Sequence, residues 1–173
     1  LAKLHGIYVP SLYEVHYNED NTFKEILPLC PEAKPVINKR VIKNFRDSFA
    51  IKKPVLPYID IVHDRVMLEL FRGCTRGCRF CQAGISYRPV RERTADRLRT
   101  IAKEMLDNTG YNEMSLTSLS SADYTCLGEI VDDLMEDYKN ERVSFSLPSL
   151  RIDSFSIDLA HKMQQIGRAS CRE

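Results

Sequence analysis

Val66-Met67-Leu68-Glu69-Leu70-Phe71, running straight into Arg72-Gly73-Cys74-Thr75-Arg76-Gly77-Cys78-Arg79-Phe80-Cys81-Gln82-Ala83-Gly84, decides how this chain folds. The first six residues form a short apolar run of the kind a buried strand needs. The next thirteen form a glycine-punctuated loop that carries three cysteines. Downstream, Thr94 caps a predicted helix whose Leu98, Ile101, Ala102, Met105 and Leu106 keep the i, i+3, i+4 stripe, and Gly110 stops it. A second strand is predicted over residues 114–119. A helix capped by Asp123 follows, with Leu127, Ile130, Val131, Leu134 and Tyr138 on its buried face. A third strand over residues 143–147 ends at Pro148, and Ser156 caps a third helix with Leu159, Ala160 and Met163. Strand and helix alternate three times, which predicts the α/β class, a parallel sheet and right-handed crossovers.

Strands two and three are half polar. Ser115 and Thr117 alternate with Met114 and Leu116, and Ser144 and Ser146 alternate with Val143 and Phe145. A parallel strand buried on both faces reads as apolar throughout. One polar face therefore predicts a wet or charged interior, as in a parallel (β/α) barrel of which about three units are present. Upstream, residues 1–56 are rich in proline. Tyr13-Glu14-Val15-His16-Tyr17 and Thr22-Phe23-Lys24-Glu25-Ile26 alternate on either side of Asn18-Glu19-Asp20-Asn21, which predicts a β-hairpin. Pro28, Pro31 and Pro35 interrupt regular structure beyond it, and residues 41–49 are predicted as a short helix closed off by Pro54 and Pro57. The expected division is a linker with a hairpin at 1–56 and a truncated barrel at 57–165.

Composition is that of a foldable globular chain: 173 residues, 43% hydrophobic and 28% charged. The 25 Lys and Arg balance 24 Asp and Glu, so no global field marks a nucleic-acid or acidic-ligand binder. No run approaches the roughly 20 apolar residues of a membrane helix. Leu1 stands where an initiator methionine would, and the chain is expected to be an internal piece of a longer protein. Residues 166–173, Ile-Gly-Arg-Ala-Ser-Cys-Arg-Glu, resemble one translated frame of a common sequencing adapter and are expected to be an artefact.

Cys74, Cys78 and Cys81 have the spacing that wraps a compact polynuclear centre, with glycines 73, 77 and 84 expected to supply positive φ. Thiolates are the ligands of iron–sulfur clusters. Three of them on a four-iron cube leave one iron open to an outside ligand. Structural zinc needs a fourth partner, and Cys30 and Cys126 are isolated in the sequence. Cys126 reads as a packed small residue. Three cysteines within eight residues do not pair among themselves.

Cys74-x3-Cys78-x2-Cys81 after a first barrel strand, with the aromatic Phe80 before the third cysteine, resembles the signature of the radical S-adenosylmethionine (SAM) superfamily. Tyr87-Arg88-Pro89-Val90-Arg91-Glu92-Arg93, Ser118-Leu119-Ser120-Ser121-Ala122-Asp123-Tyr124 and Ser146-Leu147-Pro148-Ser149-Leu150-Arg151-Ile152-Asp153 look like one uncharacterised subfamily. Its members carry a cobalamin-binding-type domain before the barrel. The resemblance implies a [4Fe–4S] cluster on Cys74, Cys78 and Cys81, with SAM chelating the fourth iron. It further implies reductive cleavage of SAM to a 5′-deoxyadenosyl radical acting on an unknown substrate. Phe80 would pack near the adenine. Ser118, Ser120, Ser121, Ser146 and Arg151 stand where SAM contacts are expected, although Ser118-Leu119-Ser120-Ser121 replaces the family's glycine-rich motif. Cobalamin in the whole protein and a reductant such as flavodoxin or ferredoxin belong to the same implication. The fragment alone is expected to hold a cluster poorly and turn over nothing.

A non-catalytic iron–sulfur or zinc module is the alternative, and for electron transfer it would want a fourth cysteine. RNA is a further alternative partner through Arg88, Arg91, Arg93, Arg97 and Arg99. Glu92 and Asp96 interleave with that run, which favours a solvated, charge-paired helix face. The four histidines are scattered. A cysteine cluster of this kind implies a reducing compartment, hence the cytoplasm.

Overall fold

The alternation on either side of Asn18 becomes a hairpin. Strand β1 (Tyr13–Tyr17) pairs antiparallel with β2 (Phe23–Pro28), Tyr13 opposite Pro28 and His16 opposite Glu25, with an irregularity at His16 and Tyr17. In the turn, the Asp20 carboxylate accepts from the Thr22 amide at 2.9 Å and the Thr22 hydroxyl at 2.6 Å. The computed structural model describes residues 1–151, 153 and 157–165, the last three as backbone only. They divide into two compact units, residues 1–42 and residues 43 onward. In the first, the Tyr13 hydroxyl donates to the Lys34 carbonyl at 2.7 Å and the Leu29 amide to the Leu12 carbonyl at 2.9 Å, closing the chain around the hairpin.

The second unit runs β3 (Val66–Glu69), β4 (Phe71–Arg72), α1 (Ala83–Ser86), β5 (Arg91–Glu92), α2 (Ala95–Thr109), β6 (Glu113–Thr117), α3 (Leu127–Asp137), β7 (Ser144–Ser146) and α4 (Ile157–Gln165). Strands β3, β6 and β7 form a parallel sheet in that order. Register aligns Val66, Met114 and Phe145 on one face, with Leu68 and Leu116 above them, and all five are buried. Helix α2 packs on β3 and on α3. Leu98, Ile101, Ala102, Ile130 and Leu134 are at most 2% exposed, and each large apolar side chain so buried contributes about 1.5–3 kcal/mol. Arg99 ties the helices at their rim, donating to Asp137 at 2.7 and 2.9 Å.

Helix α2 begins and ends where its sequence says. The Thr94 side chain accepts from the Arg97 amide, and Gly110 closes the last turn at φ 70°. Three other expectations are corrected. Residues 66–71 are not one strand: Phe71 and Arg72 turn away to pair antiparallel with Glu92 and Arg91. Asp123 does not cap α3. It lies in a single 3-10 turn, Ser121–Asp123, its carboxylate is taken by arginines, and Cys126 stands at the helix start with no side-chain cap bond. Residues 41–49 are not helical. Arg93, 3% exposed, donates to the carbonyls of Phe45 (3.4 Å), Ser48 (3.0 Å) and Phe49 (3.2 Å), drawing off acceptors that a helix would have spent on its own amides. That contact also makes residues 45–49 part of the second unit. The Ser156 cap, the Met163 side chain and residues 166–173 lie outside the described residues. Among the described residues, no helix is long and apolar enough to cross a membrane.

Candidate functional site

The cysteine loop leaves the sheet just after β3, and backbone contacts hold its two ends together. The Cys74 amide donates to the Tyr87 carbonyl at 2.8 Å. Gly73 has φ +102°, and a Cβ there would meet the Pro89 and Tyr87 carbonyl oxygens at 2.5 and 2.8 Å. The Cys81 amide donates back to the Cys78 carbonyl at 3.0 Å, making the turn that enters α1. Arg88 bonds the Gly84 carbonyl through Nε and the Thr75 carbonyl through Nη2 at 3.4 Å. Positive φ is confined to Gly73 among the three loop glycines, so that expectation fails at Gly77 and Gly84. Gly77 faces open space, while Gly84 is required by a close backbone approach to Arg76.

All three loop cysteines are free thiols, Cys74 and Cys81 half-buried and Cys78 exposed. Among the described residues, no three His, Cys, Asp or Glu side chains converge on a single-ion site. Phe80 stands 94% exposed beside them. Cys126 is half-buried against the core, where burial pushes its thiol pKa up.

The serine cluster closes the end of β6. The Ser118 hydroxyl lies 3.0 Å from that of Ser121 and accepts from the Ser120 amide at 3.2 Å, while Ser121 Oγ donates to the Leu116 carbonyl at 3.1 Å. Ser118 and Ser121 thus spend their hydroxyls on the bend itself. Ser146 closes β7, beside Ser115 and Met67 in register on the face opposite the helices, and its Oγ is buried with no hydrogen-bond partner among the described residues. The Ser121 amide donates to the carbonyl of Ser149, which has φ 62°, so the loops after β6 and β7 touch.

Arg151 does not stand alone. Its Nη1 lies 3.3 and 3.1 Å from the two carboxylate oxygens of Asp123, and Nη2 bonds Asp153. The same Asp123 carboxylate accepts from Arg76, Nε at 3.1 Å and Nη2 at 2.5 Å. The Arg76 guanidinium, helped by the Ser120 side chain and then by the charge of Arg151, holds the Asp123 pKa down at about 2 against the opposing effect of burial. Sequence reasoning missed this pairing. An arginine between two cysteines was the available signal, but its partner lies 47 residues away. Four of the five arginines of the run are engaged from within, Arg97 being the exception: Arg88 and Arg91 bond loop carbonyls, Arg93 is buried, and Arg99 pairs with α3.

The geometry is that of a parallel α/β unit presenting a three-thiol loop at the carboxyl ends of its strands, the active end of such folds. The Radical SAM superfamily domain matches residues 68–171, which include the loop and all three strand ends, and the chain belongs to that superfamily. It is similar to an uncharacterized protein of Methanocaldococcus jannaschii, at 37% identity over 93 residues. That match takes in 54% of this chain and 20% of the relative, so the chain spans about a fifth of that protein's length.

Proposed function

We propose that Cys74, Cys78 and Cys81 each bind one iron of a [4Fe–4S] cluster, in a protein that cleaves SAM reductively to act on a substrate still to be found. The observation that carries this is three free thiols on one glycine-bent loop at the carboxyl ends of parallel strands, in a chain of this superfamily. The donor set fits, since thiolates are the ligands such clusters take and three leave an iron for SAM. When bound, the cluster and SAM supply one-electron chemistry that ends in a 5′-deoxyadenosyl radical and hydrogen abstraction.

The chain's own residues hold and screen that chemistry. Phe80, exposed next to Cys81, offers a ring for the adenine to stack on. Ser120, buried just after β6, is assigned to SAM in this proposal together with Ser146 at the end of β7 and Arg151 in the loop beyond it. The three-stranded sheet is read as the first part of the partial barrel. An upstream cobalamin-binding-type domain, a flavodoxin or ferredoxin as electron donor and a cytoplasmic location complete the proposal. The test is the whole protein, recovered from its source, reconstituted anaerobically with iron and sulfide and given SAM and reductant. 5′-Deoxyadenosine from the natural protein and none from Cys78→Ala supports the reading. An intact cluster that releases none with any candidate substrate turns it toward a non-catalytic iron–sulfur module.

A further inference from the structure

Asp123 is the place where three loops meet. It follows β6, receives Arg76 from between Cys74 and Cys78, and receives Arg151 from the loop after β7. Arg76 makes a two-point contact, both nitrogens on the two oxygens of one carboxylate, the geometry that fixes direction as well as distance. The Asp123 side chain is 20% exposed while that of Arg76 is 49% exposed, so the anion is the sheltered partner and the loop is brought to it. Two guanidiniums sharing one carboxylate repel one another when that carboxylate is gone; Asp153 hydrogen-bonds Arg151 and reaches Arg76 only through its charge among the described residues. Among the described residues, no other contact of comparable directionality fastens the stretch between Cys74 and Cys78 to the strand ends: the Arg88 bond to Thr75 is long, at 3.4 Å, and reaches backbone only.

We propose that Asp123 is the positioning residue of the cysteine loop. Through Arg76 it sets where Cys74 and Cys78 present their thiols, and through Arg151 it makes the loop after β7 answer to the same anchor. The role rests on the cluster reading above only for its consequence; the positioning itself is a property of the chain.

The experiment is site-resolved alkylation of the whole protein's thiols under native anaerobic conditions, followed by iron content and the EPR signal of the reduced centre after reconstitution. Asp123→Asn should speed alkylation of Cys74, the half-buried one of the two thiols that flank Arg76, by about threefold or more, with Cys30, in the first unit, unchanged as the internal control. Arg76→Gln should give a similar rise, and the double variant should add nothing beyond either single one. Asp123→Glu should restore the slow rates, and Arg76→Lys, which keeps charge but loses the fork, should behave like Arg76→Gln. Iron retention and the EPR signal should fail together with the positions of the thiols. Unchanged alkylation at Cys74, additive effects in the double variant, or an equal rise at Cys30 would overturn the proposal. Faster alkylation with no iron bound by any variant, natural protein included, would uphold the anchor and sink the cluster reading instead.

Discussion

Gly84 and Arg76 meet backbone to backbone: a Cβ built on Gly84 would stand 1.8 Å from the Arg76 carbonyl oxygen. The first turn of α1 is thereby pressed onto the cysteine loop between its first and second thiols. Gly84→Ala must push the two apart, at a cost of about 1–3 kcal/mol for forced overpacking. Both the melting temperature and reconstituted iron content should fall. Gly77→Ala, where nothing lies within 4 Å, should leave both as they were.

Arg93 is a cation sealed into the core by carbonyls, lying 4.3 Å above the Phe45 ring. Removing its charge leaves the oxygens of Phe45, Ser48 and Phe49 short of donors. Arg93→Gln should lower unfolding stability by about 2–3 kcal/mol in urea titration. A loss near zero would mean that residues 45–49 contribute nothing to the fold.

The Asp123 ion pair has a pH signature of its own. Its folded pKa, about 2, lies below the ordinary carboxylate value of 3.8, so the folded state prefers the ionised form. The stabilisation is complete above pH 3.8 and disappears as pH falls through about 2. The charged groups facing the carboxylate are Arg76 and Arg151, both charged throughout that range, and the Ser120 hydroxyl beside them does not titrate there. The difference in melting temperature between the natural chain and Asp123→Asn should therefore be flat from neutrality to about pH 4 and shrink below it. A difference that persists undiminished at pH 2 would show that the variant acts through packing.

Phe80 separates binding from folding. At 94% exposure its ring holds nothing together in the chain itself, so Phe80→Ala should change stability by less than about 0.5 kcal/mol. A stacked adenine loses about 0.5–1.5 kcal/mol, so SAM affinity measured calorimetrically on the reconstituted whole protein should weaken by about twofold to tenfold. Equal affinity would remove Phe80 from the site.

What the sequence made legible was local. Helix α2 carries its own punctuation, a threonine at one end and a glycine at the other, and its buried stripe is visible in the spacing of Leu98, Ile101 and Met105. The hairpin is likewise written in adjacent residues, and the cysteine spacing led to the family that the chain joins. The misread elements have partners far along the chain. Asp123 looks like a helix cap because the sequence beside it is a helix, yet its carboxylate belongs to Arg76 and Arg151. Residues 41–49 have a helix's composition, and a single buried guanidinium from residue 93 overrules it. Residues 66–71 read as one strand because a run of apolar side chains carries no mark of the partner that draws Phe71 and Arg72 aside.

The grip of Arg93 on Phe45, Ser48 and Phe49 also bears on where this protein can be cut. By composition the segment ahead of Pro57 is spacer, the sort of sequence that is trimmed when a domain is excised or grafted. By energetics it is the foundation of the unit that carries the thiols. A version starting at Pro57 would strip that guanidinium of its three carbonyls and leave it the Glu69 carboxylate at 4.0 Å, and it should be less stable however faithfully the cysteine loop had been preserved. The seam that an engineer, or a recombination event, can use without penalty lies upstream of Phe45.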